Sequence, residues 1–485
     1  MVILPQEMTA ATPETIVVGA GIVGLTVAER LARTGQKVSV IDARPDPFTK
    51  TSWYQLGTTY ASMDARHVST TEHVSKARPL SAENFLRLTK EGGFLTKPLE
   101  DSTPREQWWI RTLVEITQEL EFVDFVDFHI WQANFLGLKG WRSWMSEDPD
   151  LFKDVGLQNG VPIFYTDERE LETALASESK WDEVRRLDSP EIKMRFPKIA
   201  PHFENGLLIG GFETDSFAFG IHRFARNLRN HAQEAGVSFE YEQPVIRIER
   251  NDDGEVTGIR MQDGRLKNPP NIVFCTGVFG REVLAGARTP AIPDLLMGVA
   301  GFWVDLPGVD GLGGAFKLST AHLNVTPYEG GTYASGGFVF TGEETKVDFS
   351  NPGVNAGLRN LQEVVGQIFP GSPQTSIQAC IRPMSLSGWE LSEDIPTAQG
   401  GHLIISTGQG AGGTTQAPYV AERVCEIITG NPSDLLIYPA PDSSEIAPAF
   451  ERLSDRINLE ALYSPQVLAE FYRIYSSVYP EGSPN

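Results

Sequence analysis

The order of apolar and polar residues near the N-terminus predicts a strand, a helix and a second strand. Residues 16–18 are a short β-branched apolar run, which is typical of a buried parallel strand. Apolar residues at helical spacing follow over residues 22–34, and Gly35 stands where a helix ends. A second apolar strand over residues 37–41 ends at Asp42. This pattern is that of a βαβ unit.

The rest of the chain divides into a helical part, a mixed part and a part with strand alternation. Residues 81–205 have helical periodicity and predict a mostly helical insertion. Residues 206–277 predict one helix among short strands, with turns at Asp-Gly pairs. Residues 290–380 alternate as in an antiparallel sheet, and residues 403–429 predict a strand, a glycine-rich turn and a helix.

Length, charge and cysteine content narrow the class of protein. The chain of 485 residues is too long for one hydrophobic core and long enough for two domains. Its net charge of −22 opposes binding to nucleic acid or to an anionic membrane. Three widely spaced cysteines argue against a disulfide framework or a zinc site and favour a reducing cytoplasm; no metal site is predicted. We find no signal-peptide pattern and no apolar run of membrane-spanning length, so we expect no membrane span.

Three glycines between the first strand and the first helix, Gly19, Gly21 and Gly24, have the G-x-G-x-x-G spacing of a dinucleotide-binding turn. The first permits the turn, the second lets backbone N–H groups approach a pyrophosphate, and the third lets the helix pack on the strand. Asp42 stands where a carboxylate binds a ribose, whereas Arg44 would suit a 2′-phosphate, so the motif alone does not separate FAD from NAD or NADP. The adjoining residues expected to contact the cofactor are Ile22, Val23 and Ala43.

A second glycine-rich turn precedes the last predicted helix. The residues expected to contact a cofactor there are Gly408, Gln409, Gly410, Gly412, Gly413, Thr414 and Thr415. Backbone N–H groups and the positive end of a helix would face a second anionic feature of the cofactor. The N1–C2=O edge of a flavin is such a feature, because it gains negative charge on reduction.

Two further segments have both a functional and a structural interpretation. Residues 51–73 are rich in Ser, Thr and Gly and contain Arg66 and His67. We expect this loop to wrap the cofactor and one face of the active site, the alternative being a polar surface loop. Residues 108–144 are unusually aromatic, which favours a packed core or a dimer interface, with a few of these side chains lining an apolar substrate pocket.

Taken together, these motifs resemble those of the D-amino-acid oxidase family of FAD-dependent oxidoreductases, which includes glycine oxidase, sarcosine oxidase and the D-amino-acid dehydrogenases. The resemblance covers residues 16–70, 189–277 and 379–430. Besides the two glycine loops and Asp42, it rests on a strand at Val245, on Cys275-Thr276-Gly277 where the family has A-T-G, and on Ile381-Arg382-Pro383-Met384 where the family has L-R-P-M.

The resemblance implies an α/β fold. A Rossmann-type FAD-binding domain would be interleaved with a substrate domain built on a mixed β-sheet and a helical insertion. The implied FAD-binding domain comprises residues 13–80, 205–290 and 380–432, and the substrate domain comprises residues 81–204 and 291–379. Residues 433–485 are expected to form a C-terminal helical extension.

The implied activity is oxidation of a carbon–nitrogen bond in an amine or amino acid. A hydride would pass to flavin N5, an imine would form, and oxygen or another acceptor would take up the electrons. Arg382 would pair with a substrate carboxylate, and Arg66 and His67 would complete the catalytic group. Outside the glycine loops, the implied FAD-binding residues are Asp42, Arg44, Arg66, His67, Val245, Thr276, Gly277 and Arg382. No cysteine stands where flavin is attached in sarcosine-oxidase-like members, so FAD is expected to be non-covalent.

The sequence leaves other functions open. A flavoprotein dehydrogenase of a hydroxy acid or polyol would use the same cofactor domain, with His67, His129 or His322 as a base. An FAD-carrying electron-transfer subunit of a complex would expose an aromatic face from residues 108–144, and a flavin hydroxylase would oxidise NADPH. A homo-oligomer is compatible with the sequence.

Overall fold

The computed structural model describes residues 14–49, 59, 66–72, 95–180, 182–285, 292–319, 323–386, 388 and 390–433. The start of the predicted helical insertion, at residues 81–93, lies outside the described residues, and so does the predicted C-terminal extension beyond residue 433.

The strands are numbered along the chain. They are β1 Glu14–Val18, β2 Lys37–Ile41, β3 Arg66–Ser69, β4 Gln158–Asn159, β5 Ile163–Tyr165, β6 Arg185–Arg186, β7 Gly210–Glu213, β8 Ser216–Phe219, β9 Ser238–Glu240, β10 Val245–Arg250, β11 Val256–Met261, β12 Leu266–Lys267, β13 Asn271–Phe274, β14 Leu296–Pro307, β15 Phe316–Leu318, β16 Leu323–Tyr328, β17 Gly331–Gly342, β18 Thr375–Ser385, β19 Leu391–Pro396 and β20 His402–Thr407.

The α-helices are numbered in the same way. They are α1 Ile22–Arg33, α2 Pro104–Ile116, α3 Leu120–Glu147, α4 Glu168–Glu178, α5 Ser189–Arg195, α6 Ala200–Glu204, α7 Ile221–Glu234, α8 Arg281–Leu284, α9 Ile292–Leu295, α10 Pro352–Ile368 and α11 Gly413–Thr429. None of the helices that the structure describes combines the length and the apolar character needed to cross a bilayer.

A six-stranded sheet contains the predicted βαβ unit, which is confirmed as β1, α1 and β2. Its strand order is β19-β20-β13-β1-β2-β9, and all neighbours are parallel except β19 and β20. Side chains of β1 alternate between its two faces, as a strand requires. Val17 packs in the core shared with α1, α7 and α11, whereas Ile16 and Val18 pack against the small sheet β10-β11-β12. Both faces are therefore covered, as in other mainly parallel sheets.

An eight-stranded mixed sheet forms the second layer, with the order β18-β14-β17-β16-β15-β5-β7-β6. The predicted antiparallel sheet of residues 290–380 is confirmed by the pairing of β14 to β18. Strands β5 and β6 come from the region that periodicity predicts as mostly helical, because strands of two or three residues are too short to show a period. Helix α10 covers this sheet, and its Leu361 and Val365 belong to the hydrophobic cluster that the sheet residues form.

The chain passes back and forth between the two sheets. Strand β18 pairs with β14 from Ser385 to Thr375, so the Arg382 segment is hydrogen-bonded into the eight-stranded sheet. A third sheet, β3-β8-β4, brings Arg66 alongside Phe219. The predicted domain boundaries stay a prediction.

The aromatic segment of residues 108–144 runs through α2 and the long helix α3. Trp109, Trp131 and Trp141 are fully buried, whereas Trp108 is 39% exposed. Helix α3 packs against α11. Most of these aromatic side chains therefore belong to the core, as the structural interpretation of this segment predicts.

Candidate functional site

A cavity lies between the carboxyl ends of the parallel strands and the eight-stranded sheet. One side of its lining comes from the turns that follow β1, β2, β13 and β20, and the other comes from β14, β16, β17 and β18. Open α/β sheets bind their ligands outside the carboxyl ends of the strands. This cavity is therefore the candidate dinucleotide site.

The three glycines of the first turn differ in which atoms a side chain at each position would meet. Gly19 has a φ of +108°, and a Cβ there would lie 2.5 Å from the Cys275 carbonyl oxygen. A Cβ on Gly24 would lie 1.9 Å from the Gly19 carbonyl oxygen. A Cβ on Gly21 would meet only Thr59 Oγ1, at 3.7 Å, which is an ordinary contact. The chain's own packing requires Gly19 and Gly24, whereas a ligand at the end of α1 would require Gly21.

The N-terminus of α1 is open toward the cavity. Its N-cap is Gly21, which has no side chain to cap the first turn, and that turn contains no acidic residue. Thr59 Oγ1 accepts the Ile22 N–H at 2.9 Å. The positive end of the helix and its remaining N–H groups suit a pyrophosphate.

Asp42 is held in place by the backbone of both adjoining turns. Its Oδ2 accepts the Ala20 N–H and its Oδ1 accepts the Arg44 N–H, each at 2.7 Å. Burial raises the pKa of the Asp42 carboxyl, and these two hydrogen bonds and the charge of Arg44 oppose that shift. Each carboxylate oxygen can accept a further hydrogen bond, for example from a ribose hydroxyl.

The second glycine loop is tied to the strand that carries Arg382. Gly408 and Gly410 have positive φ angles of 82° and 56°. The Gly410 N–H donates to the Pro383 carbonyl oxygen at 2.7 Å. Gln409 Nε2 donates to Ser406 Oγ at 2.9 Å, and both residues line the cavity. Because the N-cap of α11 also has no side-chain cap, a second positive helix end is available at the cavity.

Helix α3 supports the start of α11 from behind. Trp141 Nε1 donates to the Thr414 carbonyl oxygen at 2.8 Å. A Cβ on Gly137 would lie 2.0 Å from the Thr415 carbonyl oxygen, so only glycine allows this approach. The aromatic segment therefore acts on the site indirectly, through the position of the second glycine loop, and the cavity lining contains none of its described side chains.

Arg66 and Arg382 lie over the same aromatic ring in the cavity wall. The Arg66 guanidinium carbon is 5.1 Å and the Arg382 guanidinium carbon 5.7 Å from the centroid of the Trp303 ring. Arg382 Nη1 also donates to the Gly337 carbonyl oxygen at 3.3 Å. A Cβ on Gly301 would lie 2.2 Å from Arg382 Nη2, so this glycine makes room for the guanidinium. Among the residues that the structure describes, Arg382 pairs with no carboxylate.

Burial and neighbouring charges shift the pKa values of Arg66 and of the nearby Cys380 thiol. Burial lowers the pKa of Arg66 to about 10, and the charge of Arg382 contributes to this shift. Burial raises the pKa of the Cys380 thiol to about 11, although both arginines oppose the shift. With these pKa values Arg66 is charged at neutral pH and Cys380 is a neutral thiol.

His67 reaches the cavity from β3. Its Nε2 is 2.9 Å from Thr326 Oγ1 on β16, and both side chains line the cavity. Of the other histidines considered as bases, His129 lies on α3 outside the lining, and His322 lies outside the described residues.

The structure brings most of the predicted site residues together. The predicted residues that line the cavity are Gly19, Gly21, Ile22, Val23, Asp42, Ala43, Arg44, Arg66, His67, Val245, Thr276, Gly277, Gln409, Gly410, Gly413, Thr414 and Arg382. The predicted residues outside the lining are Gly24, Gly408, Gly412 and Thr415. Their cofactor contacts stay a prediction; the structure shows that a Cβ on Gly412 would lie 2.8 Å from Gln416 Nε2.

Sequence reasoning missed the part of the lining that the eight-stranded sheet supplies. Those residues are Trp303, Asn324, Thr326, Ser335, Gly336, Gly337 and Phe338. They lie on three different strands, and no local motif marks them. The available signal is the glycine at Gly301 and at Gly337, since a glycine inside a strand pattern indicates a close approach of other atoms.

Comparison with known proteins identifies the family. Residues 14–427 match the family model DAO, described as FAD dependent oxidoreductase. The chain belongs to this family. A D-amino acid dehydrogenase of Methylobacterium sp. (strain 4-46) is 24% identical over 446 residues, covering 86% of this chain and 95% of the relative.

Solved structures share the fold of this FAD-dependent oxidoreductase. An L-proline dehydrogenase from P. horikoshii has a TM-score of 0.60 at 16% identity and covers 88% of this chain and 95% of its own. A glycine oxidase from Geobacillus kaustophilus has a TM-score of 0.59 at 16% identity and covers 87% of this chain and 96% of its own. The predicted α/β fold and the family resemblance are confirmed.

The described residues fit FAD. Gly21 leaves open the space that a Cβ would fill at the end of α1, Asp42 faces the cavity with acceptor capacity, and α11 presents a second uncapped helix end. The uncapped start of α11 would suit the N1–C2=O edge of a flavin, which gains negative charge on reduction. The family membership therefore agrees with the chemistry of the cavity.

Proposed function

We propose that this family member oxidises the carbon–nitrogen bond of an amine or amino acid. FAD, when bound, supplies the acceptor for the hydride. The chain's own residues bind and orient the substrate, so that its reacting C–H bond is held in one position. The relatives described as D-amino acid dehydrogenase and glycine oxidase support an amino-acid substrate.

The main observation in support of this proposal is that Arg382 lines the cavity and pairs with no carboxylate among the described residues. Its guanidinium lines the cavity, is placed by Trp303 and Gly301, and has only a backbone carbonyl as hydrogen-bond acceptor among the described residues. The planar fork of an arginine forms two parallel charge-assisted hydrogen bonds to a carboxylate. A substrate carboxylate bound there would lie beside the loop at the N-terminus of α11, which is hydrogen-bonded to the next residue of the same strand.

A dehydrogenase of a hydroxy acid is the second candidate, because His67 lies in the same cavity. Its contact with the Thr326 hydroxyl would orient the imidazole as a base for a substrate hydroxyl. Anaerobic mixing of the holoenzyme with matched amine and hydroxy-acid panels separates the two functions. We expect amines to bleach the flavin absorbance; bleaching by hydroxy acids alone would assign the second function.

Arg382→Lys tests the carboxylate role. A hydrogen bond to a charged group contributes about 1.5–3 kcal/mol, so KM should rise roughly 10- to 100-fold with the flavin spectrum intact. Arg359→Lys, an exposed change on α10, is the matched control and should leave KM unchanged. An unchanged KM in Arg382→Lys, or loss of FAD from that variant, would assign Arg382 to the cofactor or to the fold.

We further propose that FAD is held without a covalent bond and that the protein works in a reducing cytoplasm. Cys275, Cys380 and Cys425 are all buried and form no disulfide, which supports the second statement. Acid precipitation should leave the flavin in the supernatant, and flavin retained in the pellet would contradict the first. Oxygen uptake compared with dye reduction during turnover identifies the electron acceptor.

A further inference from the structure

One row of side chains crosses the cavity face of the eight-stranded sheet. Trp303 on β14 lies opposite Ser335 on β17, and Ser335 lies opposite Asn324 on β16. Residues that lie directly opposite each other in antiparallel strands have their side chains on the same face of the sheet. All three residues line the cavity. The row is therefore one wall of the space that a substrate would occupy.

The hydrophobic core on the other face fixes this row in position. Val304, Ala334 and Val325 form the next row across the same three strands. They belong to the hydrophobic cluster that includes Leu361 of α10. A slip of one residue would turn these apolar side chains toward the cavity and the polar row into the core, so the register is strongly specified.

The strand order gives the row a direction relative to Arg382. The strands follow one another as β18, β14, β17 and β16, about 5 Å apart. The second glycine loop is hydrogen-bonded to β18 through Gly410 and Pro383, and the Arg382 guanidinium lies over Trp303 on β14. A carboxylate bound by Arg382 would thus have the glycine loop on one side. On its other side, the next strand presents Ser335.

The fold itself does not use the Ser335 hydroxyl. Ser335 is only 9% exposed, and within the described ranges no residue forms a hydrogen bond with its side chain. Thr326, two residues along β16 from Asn324, differs because its hydroxyl lies 2.9 Å from His67 Nε2. Buried polar groups are normally paired, and a serine hydroxyl can both donate and accept. The partner of Ser335 is therefore expected in the cavity.

We infer that the substrate has a hydrogen-bonding group, such as a hydroxyl or a carboxamide, on the substituent of its reacting carbon, and that Ser335 binds this group. This inference rests on the proposed amine oxidation. Arg382 would bind the carboxylate that all amino acids share, whereas Ser335 determines specificity for the substituent. An apolar substituent of the same shape would leave the hydroxyl without a partner in a site from which it excludes water, and this loss is the source of the discrimination.

Pairs of carboxylates that differ only at the end of the chain test the inference without turnover. The polar members are 3-hydroxypropionate, succinamate and glutaramate, and their apolar isosteres are butyrate, 4-methylpentanoate and 5-methylhexanoate. The holoenzyme is titrated with each acid, and binding is followed by the change in flavin absorbance. In at least one pair the polar member should bind roughly 2- to 12-fold more tightly, as expected for one net hydrogen bond.

Variants of Ser335 test whether this residue causes the preference. Ser335→Ala should remove it by weakening the polar member alone, because the variant lacks the hydroxyl. Ser335→Thr, which keeps a hydroxyl, should retain part of the preference. Arg382→Lys should weaken both members of a pair equally, because both have the carboxylate. Ser179→Ala, an exposed change at the end of α4, is the matched control and should keep the full preference.

Four results would overturn the inference. They are equal or tighter binding of the apolar member in every pair, equal weakening of both members by Ser335→Ala, no effect of that variant on either member, and loss of FAD from it. A parallel reduction assay compares both enantiomers of serine and asparagine with those of 2-aminobutyrate and leucine. Reduction by the apolar amino acids alone contradicts this inference and leaves amine oxidation standing, whereas a polar preference in binding without reduction by any amine contradicts the proposed function.

Discussion

The Gly410 N–H donates to the carbonyl oxygen of Pro383 at 2.7 Å, which joins the second glycine loop to the strand that carries Arg382. An isolated bridge between Met384 and Gln409 continues this contact. The loop expected at the flavin and the arginine expected at the substrate therefore share one hydrogen-bonded unit. A displacement of α11 should affect both cofactor binding and substrate binding.

Gly137→Ala should produce such a displacement. Alanine is normally about 1 kcal/mol better than glycine inside a helix, but here its Cβ would lie 2.0 Å from the Thr415 carbonyl oxygen. We expect destabilisation by about 1–3 kcal/mol and weaker FAD binding, measured by urea unfolding and by flavin fluorescence. Gly366→Ala on α10, where the nearest atom is 3.9 Å away, should be neutral or stabilising. Equal behaviour of the two variants would contradict the close approach of α3 to α11.

Gly21→Ala and Gly24→Ala should separate cofactor binding from folding. The Cβ at Gly21 meets only Thr59 Oγ1 at 3.7 Å, whereas the one at Gly24 collides with the Gly19 carbonyl oxygen. We expect Gly21→Ala to fold with the melting temperature of the apoprotein but to lose most of its FAD. Gly24→Ala should lower the melting temperature itself. Normal FAD content in Gly21→Ala would remove the first glycine turn from the cofactor site.

The buried pair Glu390 and Arg423 should show strong coupling. Arg423 Nη1 is 2.7 Å from Glu390 Oε1, and burial raises the pKa of the Glu390 carboxyl while Arg423 opposes the shift. Arg423→Met leaves a buried acid without its cation, which costs about 3–5 kcal/mol. Adding Glu390→Gln to that variant should recover much of the lost stability, as measured by urea unfolding. Additive effects of the two changes would mean that the pair does not interact in solution.

Glu393 should make stability depend on pH. It lies on β19 opposite Ile405, on the face that packs against apolar residues, and burial raises its pKa from 4.5 to about 7. The folded protein then keeps a proton that the unfolded chain releases, so the free energy of unfolding falls as the pH rises from 4.5 to 7.

Glu393→Gln is the test of that dependence. Because Glu393 keeps some contact with water, the free energy of unfolding should fall by about 1–2 kcal/mol over this pH range. The variant should be more stable than the unaltered protein at pH 8 by about that amount. The exposed change Glu363→Gln is the control. Thermal melts that fall equally between pH 5 and pH 8 with and without Glu393 would assign the dependence to other groups.

The cofactor side of the site is predictable from the sequence because its residues follow their strands directly. Gly19 and Asp42 come at the ends of β1 and β2, and parallel strands bring such ends to one edge of a sheet. The periods of the flanking strands and helix are long enough to be recognised, and the glycine spacing is local.

The substrate side is less predictable because it depends on the order of strands that are distant in sequence. Trp303 joins Arg66 and Arg382 only after β14 has paired with β18 and β3 has paired with β8. No pattern within β14 reveals these partners. The position of α3 behind the second glycine loop is unpredictable for the same reason. A glycine inside a helix, such as Gly137, indicates that other atoms come close, but the sequence does not reveal that they belong to Thr415.

The strand order of the six-stranded sheet has a consequence for synthesis of the protein on the ribosome. Strand β13 lies between β1 and β20, yet residues 402–407 are made long after both of the others. Until β20 and α11 have left the exit tunnel, β13 is an apolar edge strand with one side unpaired, which is open to pairing with other chains. Until residues 408–415 have also been made, the emerging polypeptide lacks the second glycine turn of the candidate site.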